Sequence, residues 1–188
     1  MDTGMIIIVA VAVIFILFFI LSYNKMKKQE VNVENAFSDL DAFLMKRVDE
    51  LDNLVQTARV ATDKEMEVLK DVTALRAGVM NAPNMNKKIK AHNTLQQEMP
   101  NIMMNMESYP EIQFNENYLH IQRSINNIEE QIQAARRNFN SHTGKYNQLI
   151  STFPRNLIAG AFGFTKKPMF ETPPEKRENV DMKALFDR

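Results

Sequence analysis

The hydrophobic pattern of the chain opens with 17 consecutive apolar residues, from Met5 to Leu21. A helix over this run would be about 26 Å long, close to the thickness of the hydrocarbon core of a bilayer. The flank before the run has no Lys or Arg, and no small-residue cleavage site follows it, which disfavours a cleaved signal peptide. We interpret residues 1–23 as an uncleaved, single-pass transmembrane anchor that contacts the lipid bilayer through residues 5–21.

The charges on either side of the apolar run predict its orientation. Lys25, Lys27 and Lys28 follow the run closely, whereas only Asp2 precedes it. Because the flank rich in Lys and Arg stays in the cytoplasm, we expect the N-terminus outside the cell and residues 24–188 inside it.

The longest periodic pattern lies between residues 114 and 153, where apolar positions alternate steps of four and three. A stripe held for more than five heptads predicts one long helix with coiled-coil-like packing. His142 is its single polar member. The positions are Phe114, Tyr118, Ile121, Ile125, Ile128, Ile132, Ala135, Phe139, His142, Tyr146, Leu149 and Phe153.

A matching stripe follows the anchor, and Arg47 is its only polar member. Because this stripe begins soon after the apolar run, we expect the anchor and the first bundle helix to form one continuous rod. The stripe comprises Val33, Phe37, Leu40, Leu44, Arg47, Leu51, Leu54, Ala58 and Ala61.

Two shorter helices are expected between these long ones. Residues 62–65 fit a capping box that starts the second helix, and the Asn81-Ala82-Pro83-Asn84 stretch is typical of a turn. The third helix carries a weaker stripe, with Pro100 inside it, so it is either kinked or split there. Its methionines 99, 103, 104 and 106 fill core gaps, or form a partner surface if they are exposed.

The predicted fold class is all-α: an N-terminal transmembrane helix, an antiparallel bundle of four long helices over residues 24–171, and a flexible polar tail over residues 172–188. In this topology the last long helix returns toward the membrane. Residues 156–167 then either cap the base of the bundle or contact the bilayer interface. The candidate membrane-proximal residues are Lys25, Lys27, Lys28, Phe162, Phe164, Lys166 and Lys167.

Composition excludes several kinds of chemistry. The chain has no Cys, and its 23 Lys and Arg balance 23 Asp and Glu, so a disulfide framework is impossible and nucleic acid is not an expected partner. The three His residues form no metal-binding motif, and no nucleophile, phosphate or dinucleotide motif is present. We therefore predict no catalytic residue, no metal and no cofactor, and we interpret the Glu129-Glu130 pair as part of a solvated face.

Polar residues in or beside the stripes are the remaining candidates for interior or interaction roles. A polar stripe residue commonly fixes helix register, while the alternative for His142 is a switch that titrates near neutral pH. These candidates are Arg47, Asn53, Arg76, Arg136, Asn140 and His142.

Several blocks resemble the LemA family of single-pass bacterial membrane proteins. They are Asn35-Ala36-Phe37-Ser38-Asp39-Leu40-Asp41, Asp52-Asn53-Leu54-Val55, residues 109–140 with Tyr109-Pro110-Glu111-Ile112, and Phe153-Pro154-Arg155-Asn156-Leu157-Ile158-Ala159. Phe37 stands where the family usually has Trp, and Asp52 where it has Pro. The resemblance implies a helical bundle behind an anchor in the bacterial inner membrane, and no established enzymatic activity.

The function we expect is a membrane-anchored, non-catalytic helical scaffold or adaptor. It would present the bundle at the cytoplasmic face and act on other membrane or cytoplasmic proteins, with self-association into a homo-oligomer left open. One alternative is a small-molecule sensor or enzyme that uses the bundle core. The other is a membrane-remodelling protein that uses the segment after the last long helix.

Overall fold

The computed structural model describes residues 3–61, 67–109, 112 and 115–170. This part of the chain contains helices and no strand, which confirms the predicted all-α fold class. The predicted capping box at 62–65 and the predicted tail at 172–188 lie outside the described residues. The helices are α1 (Thr3–Ala61), α2 (Glu67–Met80), α3 (Met85–Glu107), α4 (Glu116–Ser151) and α5 (Arg155–Ala161).

Helix α1 is continuous from the apolar run into the bundle, as predicted. Every side chain from Thr3 to Leu17 is exposed, and burial begins at Ser22 and Met26. By length and composition, this first part of α1 could cross a membrane. The exposed apolar run therefore ends where helix packing begins.

The contacts divide the chain into two compact units. The first comprises Met1–Arg47 and Asn126–Met169, and the second comprises Val48–Ile125 and Phe170–Arg188. In the first unit, α1 and α4 run antiparallel: Phe37 packs against Phe139 with ring centroids 5.6 Å apart, while Arg47, further along α1, reaches back to Glu129 on α4.

The buried face of α4 follows the predicted stripe as far as Phe139 and includes its later member Tyr146. After Phe139, Thr143 and Ile150 are buried in place of the predicted His142 and Leu149, whereas Phe153 lies past the end of the helix and is 75% exposed. A straight α-helix drifts by about 20° per heptad against a strict seven-residue repeat, so a stripe extrapolated over five heptads moves off the core. The prediction that Phe153 belongs to the buried stripe is wrong for a second reason, because α4 ends at Ser151.

In the second unit, α2 and α3 form a helical hairpin across the predicted turn. The side chain of Asn84 caps α3 by accepting a hydrogen bond from the backbone N–H of Lys87, at 3.0 Å. Pro100 lies inside α3 without splitting it, and its ring is exposed. Of the helix 3 methionines, Met99 and Met106 are buried, whereas Met104 is 65% exposed. Each unit is thus built of packed helices, in agreement with the predicted all-α fold class.

Candidate functional site

The end of the apolar run and the segment after α4 meet at Tyr23. Its ring lies against Phe162 and Phe164, with centroid distances of 5.1 Å and 5.7 Å. These separations are in the range of favourable aromatic pairs. We call residues 156–167 the basal segment. Its two phenylalanines lie against the turn of α1 that follows the apolar run.

The C-terminus of α5 directs Phe164 toward Tyr23. Gly163 has a φ of 74°, a left-handed conformation that side chains with a Cβ rarely adopt. The backbone N–H of Phe164 then donates to the carbonyl of Ala159 at 3.0 Å, and the N–H of Gly163 donates to Gly160 at 3.5 Å. This pair of bonds is a Schellman motif.

Polar contacts from α4 hold the end of the basal segment. The Asn147 side chain accepts from the backbone N–H of Lys167 and donates to its carbonyl, both at 2.9 Å. The hydroxyl of the neighbouring Tyr146 donates to the carbonyl of Thr165, two residues before Lys167, at 3.1 Å. Burial, with smaller effects of nearby carboxylates, raises the pKa of Tyr146 to about 12, so this hydroxyl stays a donor at neutral pH.

Glu30 links α1 to the same end of the basal segment. Its carboxylate lies 2.8 Å from the ammonium of Lys27 and 3.0 Å from that of Lys167. Burial alone would raise the pKa of Glu30, but the hydrogen bonds and charges of the two lysines outweigh burial, and its pKa is lowered. Lys167, predicted as a membrane-proximal cation, is thus engaged in a protein ion pair.

The side chains of the basal segment divide between the bundle and the solvent. Ile158 and Ala159 are buried, whereas Leu157 is 66% and Phe162 57% exposed. Of the predicted membrane-proximal lysines, Lys25, Lys27, Lys28 and Lys166 are exposed and Lys167 is half-buried. The segment therefore caps the bundle with one set of side chains and presents a second apolar set outward.

Arg47 is the most buried of the predicted interior polar residues. Its guanidinium is fully buried and donates to the Glu129 carboxylate at 3.0 Å. Burial lowers the pKa of Arg47, and Glu129 opposes that change. Burial also lowers the pKa of the half-buried Arg136, again against the Glu129 charge. Glu129 therefore lies beside two cations, which corrects our interpretation of it as part of a solvated face.

The other predicted polar residues occupy less buried positions. His142 and Asn140 are half-buried in the first unit. The Nε2 atom of Gln29 lies 3.4 Å from the Nδ1 atom of His142. In the second unit, Asn53 is exposed and donates to Glu50 on its own helix. Asn53 is thus not an interior residue, because its position on α1 points away from the buried stripe.

Arg76 also lies nearer the surface than predicted. Its side chain is 39% exposed and pairs with the equally exposed Asp52 at 3.6 Å. A pair with this exposure contributes little to stability, because water screens both charges.

A shallow groove of about 400 Å³ lies on the hairpin of α2 and α3 in the second unit. Its apolar lining is formed by Leu75, Ile102 and Val68, and Asp71 and Glu98 are its acidic lining residues. It contains none of the predicted interior polar residues. Among the residues that the structure describes, no group of three or more His, Asp or Glu side chains is arranged to hold a metal ion.

Sequence reasoning did not predict the roles of Glu30, Glu129, Asn147 and Gly163, and it placed Tyr146 in the buried stripe without its hydrogen bond to Thr165. Glu129 had a usable signal, because a carboxylate flanking one apolar stripe is the natural partner of an Arg in the stripe that faces it. Gly163 had another, because glycine commonly follows the last turn of a helix. The contacts of Asn147 depend on the return of the chain over α4, which no local pattern encodes.

These features define a class of protein: an all-helical bundle behind an N-terminal apolar helix long enough to cross a membrane. A family model described as LemA family matches residues 36–183. The chain belongs to the LemA family.

Curated relatives match over shorter stretches. Magnetosome protein MamQ 2 of Paramagnetospirillum magneticum is 29% identical over 85 residues, covering 45% of this chain and 31% of its own length. Magnetosome protein MamQ of Magnetospirillum gryphiswaldense is 30% identical over 73 residues, covering 39% of this chain and 27% of its own. The chain thus spans less than a third of these relatives. Family membership and the exposed apolar run of α1 together indicate a membrane location.

Proposed function

We propose that this protein is a membrane-anchored, non-catalytic adaptor. It presents its helical bundle at the cytoplasmic face of a bacterial inner membrane and acts by binding other proteins there. The first part of α1 spans the membrane once, and the N-terminus lies outside the cell.

The observation that carries this proposal is the continuity of α1. A single helix passes from exposed apolar side chains directly into the buried stripe, so no flexible linker separates the anchor from the packed part of α1. Three lysines follow the apolar run within a turn or two, as the positive-inside rule requires of the cytoplasmic end. A rigid connection of this kind suits a protein that holds a binding surface near the bilayer.

The interior offers little support for the enzyme or sensor alternative. Such a protein needs polar groups that converge on a cavity. The fully buried Arg47 guanidinium is instead paired with Glu129, and Asn53 is exposed on α1.

The α2–α3 groove is the surface where we expect a partner protein. It combines apolar and acidic lining residues, a composition that suits an amphipathic helix bearing basic residues.

Site-specific photo-crosslinking in native membranes tests this proposal. A photoreactive side chain replaces Ala74, which lines the groove, and in a matched control replaces Gln97, which is exposed on α3 but does not line it. We expect a recurrent protein adduct from position 74 and none from position 97. Adducts of equal yield at both positions, or no protein adduct at either, would contradict an adaptor role for this surface.

A further inference from the structure

We propose that the basal segment inserts its exposed apolar side chains, Leu157 and Phe162, into the interface between lipid headgroups and acyl chains. The lipid is the anionic bilayer that also holds α1, so this inference rests on the membrane anchoring in the proposed function. The protein would then contact its membrane twice, through a spanning helix and through this interfacial segment.

The contacts with Tyr23 define the depth of the basal segment relative to the bilayer. Tyr23 follows the apolar run by two residues, which is about 3 Å along a helix axis. Its ring contacts Phe162 and Phe164 directly. When the apolar run fills the bilayer core, those contacts place the basal segment at the level of the headgroups, where aromatic side chains are enriched.

The exposed surface of the basal segment is uncharged as far as Thr165. Residues 156–165 carry no charged side chain. The exposed positions among them are Asn156, Leu157, Gly160, Ala161, Phe162, Gly163 and Thr165. An uncharged outward surface in which most residues are apolar or small is suited to lipid and costly in water.

The charged residues around the basal segment favour an anionic bilayer. The chain is neutral overall, yet no Asp or Glu occurs in residues 3–29 or in residues 131–170. Glu30, the next carboxylate after the anchor, is paired with Lys27 and Lys167. The exposed Lys25, Lys28 and Lys166 therefore give this end of the first unit a positive surface. Lysines at this level are attracted to the negative surface of an anionic membrane.

The segment is also held in place by the protein. The two hydrogen bonds between Asn147 and Lys167 hold the end of the segment against α4, and the Schellman motif at Gly163 fixes the backbone where α5 ends. The lipid contact is thus made by a preformed surface, which limits the ordering cost of binding.

The absence of Trp from the sequence allows a direct test with single indole reporters. Full-length Phe162→Trp is reconstituted in nanodiscs that contain phosphatidylglycerol and lipids brominated at shallow or deep acyl positions. Leu157→Trp serves as the second reporter. Ile14→Trp reports on the anchor, and Val31→Trp, exposed on α1 about 12 Å beyond Tyr23, is the matched control.

We expect shallow bromines to remove more than half of the emission from positions 162 and 157, and to leave position 31 nearly unchanged. Deep bromines should quench position 14 most strongly. Quenching at 14 without quenching at 162 and 157 overturns the inference while leaving the anchor intact. No quenching at 14 overturns the anchoring on which the proposed function depends.

Two further outcomes decide between occupants of this surface. A blue-shifted emission from position 162 without quenching by lipid would show that protein, such as a second copy of the chain, covers the segment, and would overturn the proposal. Replacing phosphatidylglycerol by phosphatidylcholine should weaken the quenching at 162 and not at 14. Equal quenching in both lipids would contradict the preference for an anionic bilayer.

Discussion

At the scale of single residues, two charged groups connect the helices of the first unit. Arg47 is fully buried against Glu129, and Glu30 joins α1 to Lys167 at the end of the basal segment. Sequence reasoning identified Arg47 as a polar residue in a buried stripe. It could not identify the partner, because that depends on the register of α1 against α4.

The Arg47–Glu129 pair predicts a non-additive mutant cycle. Glu129→Gln leaves a buried guanidinium beside a neutral amide, and should lower the free energy of unfolding by about 2–4 kcal/mol. Arg47→Met is the second single variant, and Arg47→Met combined with Glu129→Gln removes both charges and should recover a substantial part of that loss. Chemical unfolding of the full chain in detergent micelles measures both. A double variant as unstable as the sum of the two single variants would contradict the pairing.

Glu30 predicts an acid-sensitive contribution to stability. Its pKa in the folded protein is lowered from its ordinary value of 4.5, so the unfolded chain binds the proton more readily. The stabilisation by Lys27 and Lys167 is therefore present above pH 4.5 and is lost as the pH falls through the lowered pKa.

The loss should be smaller in Glu30→Gln, which has no carboxylate to protonate. The exposed Glu34→Gln, one turn further along α1, is the matched control and should keep the wild-type pH profile. Thermal unfolding measured at about pH 7 and at about pH 3 gives the comparison. Identical acid sensitivity in Glu30→Gln and the wild-type protein would count against the role of these ion pairs.

At the scale of helices, sequence patterns predicted which helices form better than they predicted which face of each helix is buried. The continuity of α1 followed from the closeness of the two apolar patterns, and α3 continues through Pro100 because the ring lies on the exposed side. Proline there removes a single backbone N–H, a cost that tertiary packing of the buried face of α3 can offset. Near the end of α4, Thr143 and Ile150 are buried in place of His142 and Leu149, because a repeat of 3.5 residues drifts against a helix of 3.6 residues per turn.

The left-handed backbone at the end of α5 predicts a specific requirement for glycine at position 163. Gly163→Ala places a Cβ in a left-handed conformation and should lower stability by about 1–2 kcal/mol. Gly160→Ala, where an added Cβ meets no atom within 4 Å, should leave stability unchanged or raise it slightly. Hydrogen exchange at the backbone N–H of Phe164 should accelerate in the first variant alone. Equal effects of the two substitutions would rule out a specific requirement for glycine at 163.

At the scale of the whole molecule, composition and charge pattern predicted the class of protein and left its partners open. An apolar run, balanced charge and two long stripes were enough to indicate an anchored helical bundle, and residues 36–183 place the chain in the LemA family. The candidate site was only partly visible, because it joins Tyr23 to residues about 140 positions later and depends on the antiparallel return of α4. The same return brings the uncharged basal segment next to the lysines that follow the apolar run.

The most direct measurement of the central claim, that α1 both spans the membrane and enters the bundle, uses single cysteines in a chain that has none. Thr3→Cys and Gln97→Cys are treated separately, in intact bacterial cells, with a maleimide that does not cross the inner membrane. We expect position 3 to be labelled in intact cells and position 97 only after the inner membrane is permeabilised. Labelling of position 97 in intact cells, or a mature protein that lacks the first twenty or so residues, would contradict the account.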